Sequence, residues 1–189
     1  MGKIIAVVGM PGSGKSLFSH YLHSQGLPVI RFGAVVTEEV ERRGLSLNPK
    51  NERLVREELR AMHGMDVVAR FSLPRIRDRF KRHEFLVIDG LYSFSEYKLL
   101  RKEFDDDLVV VAIVSQRALR YGRLAARPER PLTPTEALQR DFQEIENLEK
   151  GGPIAIADVT IVNDGTSDEL MSKALDFGAT FTVSEGRNR

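Results

Sequence analysis

Gly9-Met10-Pro11-Gly12-Ser13-Gly14-Lys15-Ser16 is the stretch on which the reading of this chain turns. It fits the phosphate-loop pattern Gly-x-x-x-x-Gly-Lys-Ser at every fixed position. The spacing has a physical reason. Glycines let the backbone fold into a nest whose N–H groups point at phosphate oxygens. A helix beginning near Lys15 adds the positive end of its dipole. Lys15 can reach β- and γ-phosphates, and the Ser16 hydroxyl can ligate Mg²⁺. The flanks agree. Ile4 to Val8 is apolar on both faces, as a central parallel strand is, and Leu17, Phe18, Tyr21 and Leu22 recur at helical spacing until Gly26.

Working outward, Pro28–Phe32, Phe85–Asp89, Leu108–Val114 and Val159–Val162 read as further strands. Between the second and third lie about fifty mostly helical residues, a large insertion for a simple crossover. They comprise Val35–Arg43, Asn51–His63 with Leu54, Val55, Leu59 and Met62 on one face, and Asp66–Arg82, bent or broken near Pro74. Ser95–Phe104 and Arg117–Arg127 read as helices, and a break with three prolines spans Pro128–Pro134. Thr135–Lys150 reads as one amphipathic helix with Leu138, Phe142, Ile145 and Leu148 on its apolar face. Thr166 and Glu169 have capping-box spacing before a helix that buries Leu170, Met171, Ala174 and Leu175. The tail beyond Gly178 is polar and expected to be loose. Strands alternating with helices predict one α/β domain of three layers around a parallel sheet.

The composition sets bounds. With 189 residues, 42% of them hydrophobic, the chain suits a single domain with a sizeable core. The charges, 28 Lys+Arg against 27 Asp+Glu, give no general pull toward nucleic acid or membrane. Without cysteine there is no disulfide scaffold, thiolate metal site or cysteine nucleophile. The N-terminus lacks the pattern of a signal peptide, and no apolar run is long enough to span a membrane. The expectation is a cytoplasmic protein.

Other residues carry chemistry by position. Asp89 ends a buried strand just before Gly90 and would hold Mg²⁺ beside the phosphate loop if strands one and three are neighbours. Arg117, Arg120, Arg123, Arg127 and Arg130 recur, with Arg120, Arg123 and Arg127 on one helical face, and Arg140 follows. Guanidinium groups suit the charge that phosphoryl transfer places on equatorial oxygens. Asn163-Asp164-Gly165-Thr166 follows the last strand, where ligands of open α/β sheets bind, and could contact a purine through its backbone. The basic run Arg75, Arg77, Arg79, Lys81 and Arg82 reads as a solvated face rather than a nucleic-acid site. His20 and His23 lack a third metal ligand.

This ordered set resembles the nucleoside-monophosphate kinases among P-loop proteins, most closely the adenylate-kinase-related proteins of archaea, and also dephospho-CoA kinase. The likeness runs to about Phe177 through the phosphate loop, Asp89-Gly90, Arg123-x-x-x-Arg127 and the stretch from Ala157-Asp158 to Gly165-Thr166. It implies a five-stranded parallel core, an acceptor-binding helical insertion over Glu38–Arg82 and a mobile lid over about 127–140. By that resemblance Arg123 stacks on adenine, Arg127 contacts phosphates and Arg140 stabilises the transferring group.

The expected catalytic set is therefore Lys15, Asp89, Arg123, Arg127 and Arg140. The nucleotide-binding set is Gly9, Met10, Pro11, Gly12, Ser13, Gly14, Lys15, Ser16, Phe18, Arg123, Asn163 and Gly165. The acceptor set is Arg31, Arg43, Arg56 and Tyr92, and the metal set is Ser16 and Asp89. ATP and Mg²⁺ are the expected cofactors and a small-molecule phosphoryl acceptor the partner. Two places differ from the family pattern. Gly33-Ala34 and Thr37 stand where many members have Gly-Asp and Arg, and Leu91-Tyr92 follows Gly90 where relatives often place an Arg. An ATPase switch or assembly factor of the same fold is the alternative reading. A GTPase lacks its Asn-Lys-x-Asp and Asp-x-x-Gly signatures here.

Overall fold

The computed structural model describes residues 2–182. The chain runs β1 (Lys3–Val8), α1 (Lys15–Ser24), β2 (Val29–Arg31), α2 (Gly33–Arg42), α3 (Pro49–His63), α4 (Val67–Arg82) and β3 (Phe85–Asp89). It continues through α5 (Phe94–Phe104), β4 (Leu108–Val114), α6 (Arg117–Ala125), α7 (Pro134–Phe142), α8 (Gly151–Ala155), β5 (Val159–Val162) and α9 (Ser167–Thr182). The strands form one five-stranded parallel sheet ordered β2-β3-β1-β4-β5.

Strand alternation divides the core. Ile4, Ala6 and Val8 of β1 face α2–α5, where Val36, Val40, Val55, Leu59, Ile76 and Leu100 pack. Ile5 and Val7 face the other way, onto Phe18 and Leu22 of α1 and Leu170 and Ala174 of α9. Both faces of the sheet are thus covered, which gives three layers and explains the unbroken apolar strands. Asp89 pairs with Val7 in register, so the ends of β1 and β3 lie side by side. Among the described residues, no helix is long and apolar enough to cross a membrane.

Several expectations are corrected. α4 is continuous from Val67 to Arg82 with Pro74 inside it, not broken there. The stretch expected as one helix over 135–150 is three pieces: α7, a π-helical turn over Gln143–Asn147, and α8, with Glu149 in the left-handed region at φ 54°. Its expected apolar face is turned outward, with Phe142 and Ile145 half exposed (51% and 50%). The inward face carries Ala137, Asp141 and Glu144. The reason is charge pairing: Asp141 meets Arg120 and Glu144 meets Lys150, and two buried ion pairs orient the segment more firmly than its leucine stripe. Leu54 and Met62 of α3, and Met171 and Leu175 of α9, are exposed too, at the margins of apolar faces whose centres are buried. α9 continues past Gly178 to Thr182, and the rest of the polar tail lies outside the described residues.

Candidate active site

The loop after β1 is shaped by what it must pass. A Cβ at Gly9 would lie 2.5 Å from the Ile113 carbonyl, and one at Gly12 would lie 2.7 Å from the Arg120 carbonyl. Gly12 and Gly14 also have positive φ, 79° and 98°, a region costly for residues with a Cβ. Gly14 caps α1 without a side chain, and the first turn carries no acidic residue, so the helix N-terminus presents its N–H groups and dipole to an anion.

Two braces hold the loop. The buried Asn163 donates through Nδ2 to the Ser13 carbonyl at 2.8 Å, and its own N–H is held by the Val114 carbonyl at 2.7 Å. Arg120 donates to the Pro11 carbonyl at 3.0 Å and grips Asp141 with both Nη atoms, at 2.9 and 2.6 Å. The Tyr121 hydroxyl donates to the same carboxylate at 3.2 Å. The Asn163 side chain therefore supports the loop. Arg120 is a structural strut between α6, α7 and the loop.

Lys15 and Asp89 face each other across this site. Burial pulls the Lys15 ammonium down to about 8; the Asp89 charge opposes that shift, and Arg140, Arg127 and Arg120 add to it. Withdrawal from water raises the Asp89 carboxyl, against the Ser19 hydrogen bond and the charges of Lys15 and Arg31. Ser19 Oγ donates to Asp89 Oδ1 at 3.2 Å. Ser16 and Asp89 line one cavity, a hydroxyl and a carboxylate of the kind that Mg²⁺ accepts. No cluster of three His, Asp or Glu side chains forms a metal cage among the described residues. Such a cage is unnecessary for a Mg²⁺ held by one or two protein ligands and by phosphates.

On the β5 side, Arg123 donates to Ser115 Oγ at 3.1 Å and to the carbonyls of Asn163 and Gly165, both at 3.0 Å. Its guanidinium is thereby fixed beside the loop, in a groove of about 250 Å³ shared with Gly12, Lys15, Ser16 and Arg127. Arg140 lies 3.7 Å from Glu144 and is half exposed. Its charge is felt by Lys15, Arg127 and Lys150. Phe18, expected at the nucleotide, has no exposed surface and packs against Phe177 at 5.7 Å between centroids. It is a core residue beneath the loop.

On the β2 side two cavities meet at Arg31, Ala34 and Asp89. One, of about 530 Å³, has apolar walls from Phe32, Val36, Val68 and Tyr92, and cations from Arg31, Arg56 and Arg60. The other, of about 630 Å³, is lined by Ser16, Ser19, His20, His23, Arg75 and Arg79 among others. Arg31, Arg56 and Tyr92 are thus brought together. Arg43 is not; it lines neither cavity and binds Glu39 and Glu58, joining α2 to α3. The basic run of α4 is largely neutralised: Arg75 pairs with Glu38, Arg77 with Glu103 and Arg82 with Asp78.

Sequence reasoning missed three groups. Arg60, Glu96 and Lys150 are almost wholly buried, and Arg60 reaches the 530 Å³ cavity. Lys150 pairs with Glu144, and its Nζ sits 4.9 Å from the centre of the Tyr92 ring. Arg60 stands one turn beyond Arg56, a signal that was legible. Nothing in the Glu144–Lys150 stretch distinguishes a buried lysine from a solvated one.

Comparison with known proteins agrees with this geometry. The family model described as AAA domain, AAA_18, matches residues 5–143. A UPF0200/UPF0201 protein of Archaeoglobus fulgidus is 36% identical over 172 residues, which cover 90% of this chain and 53% of that one. The chain thus spans about half the length of that relative. A UPF0200 protein of Thermococcus gammatolerans is 35% identical over 90% of each chain. Among solved structures, TT1252 from Thermus thermophilus has a TM-score of 0.66 at 22% identity, over 99% of both chains. The shikimate kinase of Bacteroides thetaiotaomicron has a TM-score of 0.59 at 12% identity, over 93% of this chain and 97% of that one. These two likenesses show the fold, a P-loop kinase-like α/β domain. With a phosphate loop at the carboxyl end of its central strand, the chain belongs to the AAA_18 family and to the UPF0200 proteins.

Proposed function

We propose that this protein is a cytoplasmic, ATP-dependent phosphotransferase whose acceptor is a nucleotide or nucleotide-like small molecule. The observation that carries the reading is the position of Asp89. It lies beside Lys15 and also lines the arginine-bearing cavity of about 530 Å³. A donor phosphate chain on the loop and an acceptor in that cavity would meet there.

The chain's own groups divide the work. The loop N–H groups and α1 bind the β- and γ-phosphates, and Lys15 holds charge on the oxygens that bridge them. Arg123 offers its fixed guanidinium plane to the adenine. Arg127 and Arg140 neutralise the equatorial oxygens. Ser16 and Asp89 would hold Mg²⁺, which shields the phosphate oxygens from one another. Residues 38–82 serve as the acceptor-binding insertion and about 127–140 as the lid, whose closure excludes water and favours transfer over hydrolysis. A phosphate acceptor needs no base, because with a second pKa near 6 it is largely dianionic at neutral pH. A ribose hydroxyl would need one. Ala34, which lines both cavities, supplies none at the position after β2, and this disfavours dephospho-CoA as acceptor.

One observation favours a second reading, an ATPase switch or assembly factor. Leu138, Phe142 and Ile145 expose an apolar stripe on α7 and the π-helical turn after it, and a macromolecular partner could cover it.

Lys15→Ala separates function from fold. Turnover of Mg·ATP should fall to background while circular dichroism stays native. A folded variant that keeps full turnover would falsify the assignment under either reading.

A further inference from the structure

Arg60, which lines the 530 Å³ cavity, forms an incomplete ion pair with the fully buried Glu96. Arg60 on α3 is 9% exposed and Glu96 on α5 is 0% exposed. Arg60 Nη2 and Glu96 Oε1 stand 4.0 Å apart, beyond hydrogen-bond reach. Arg60 Nε, Arg60 Nη2 and Glu96 Oε1 are all buried without a hydrogen-bond partner. Glu96 Oε2 is occupied; it accepts from the N–H groups of Tyr92 and Ser93 at 2.7 and 3.1 Å. A buried guanidinium without hydrogen-bond partners is costly, so a fold that keeps one on a cavity wall has a use for it.

The atoms left unpaired identify the ligand chemistry. Nε and Nη2 form one edge of the guanidinium fork, which matches two oxygens of a carboxylate or phosphate. We propose that Arg60 and Glu96 form an oxyanion subsite that holds a carboxylate or phosphate of the acceptor and takes up one proton as it fills. The inference rests on the phosphotransferase reading only in calling the ligand the acceptor.

The proton follows from the geometry. An anion on the Nε–Nη2 edge comes close to Glu96 Oε1, and two negative charges cannot share a dry site. Glu96 must then be a carboxylic acid, donating from Oε1 to the anion. Its surroundings support this: burial lifts its carboxyl to about 7, against the charges of Arg60 and Lys150 and the two N–H bonds. The titratable groups that face the pair are Arg56, Glu57, Tyr92 and Lys150, the last itself paired with Glu144. The proton comes from solvent and rests on Oε1; no other bond forms or breaks.

The test is calorimetric titration of the full chain carrying Lys15→Ala, which weakens anion binding at the phosphate loop. The probes are sulfate and acetate, which keep their charge over the range used. Buffers of two ionisation heats report the protons taken up. At about pH 8, where free Glu96 is ionised, binding should take up close to one proton; at about pH 6 uptake should nearly vanish. Glu96→Gln should bind without uptake, because the amide donates as the acid does. Arg60→Met should weaken binding at least tenfold. Arg60→Lys, which keeps the charge but not the fork, should weaken it in a protein whose fold is more readily preserved. Preference for sulfate assigns the subsite to a phosphate, and preference for acetate to a carboxylate. Binding of neither probe, binding indifferent to both Arg60 variants, or binding without proton uptake overturns the proposal. If titration succeeds but no acceptor stimulates ADP release, the subsite stands and the phosphotransferase reading fails.

Discussion

Lys15 illustrates what a residue type and its position determine between them. The pattern Gly-Lys-Ser places it at the start of α1, where the family chemistry needs a cation, and that much was legible from the sequence. Its acidity was not, because that depends on burial and on arginines distant in the chain. An ammonium with a pKa of about 8 is mostly charged at neutral pH and loses its proton above that value. Phosphates bound there, as proposed for ATP, hold it charged, so above pH 8 their binding takes up a proton. ATP affinity should be flat from neutral pH to about 8 and then fall by up to tenfold per pH unit, and Lys15→Arg should flatten the fall. Affinity measured with Mg·ATP across this range checks it. Phe18 and Asn163 show the limit of such reading. One step along a helix decides between loop and core, and nothing in the sequence announces that the Asn163 side chain braces the Ser13 carbonyl.

At the scale of elements, apolar period predicted every strand and most helices, because strands covered on both faces and helices on a core have little freedom. It failed over 135–150, where polar partners outweighed pattern. The two readings of that segment make opposite predictions. Phe142→Ser should cost no more than about 1 kcal/mol, since the side chain is half exposed. Asp141→Ala should cost about 3–5 kcal/mol, because it strands the buried Arg120. Denaturant titration of the two variants decides between them. Loss of the Arg120–Asp141 grip should also loosen the phosphate loop, since Arg120 holds the Pro11 carbonyl.

At the scale of the molecule, function follows from strand order. β1 sits between β3 and β4. The chain leaves β1 toward the α1 face and leaves β3 toward the α5 face. The carboxyl ends of these two strands therefore open a crevice where the topology switches, the usual ligand site of such sheets. The phosphate loop and Asp89 line it from the two strands, and α2, α3 and α4 wall one side. The sequence reading placed Asp89 beside the phosphate loop on condition that β1 and β3 are neighbours, and they are. It did not expect the buried set Arg60, Glu96 and Lys150, which three separate segments assemble and which no local pattern announces. The central claim is that this crevice moves a phosphoryl group onto a small molecule. It is tested most directly by following ADP release from Mg·ATP with nucleoside monophosphates, nucleosides and dephospho-CoA as candidate acceptors. The account predicts strong stimulation by one anionic acceptor, with the phosphoryl group recovered on it. Slow release that no acceptor alters would contradict it and leave the ATPase switch.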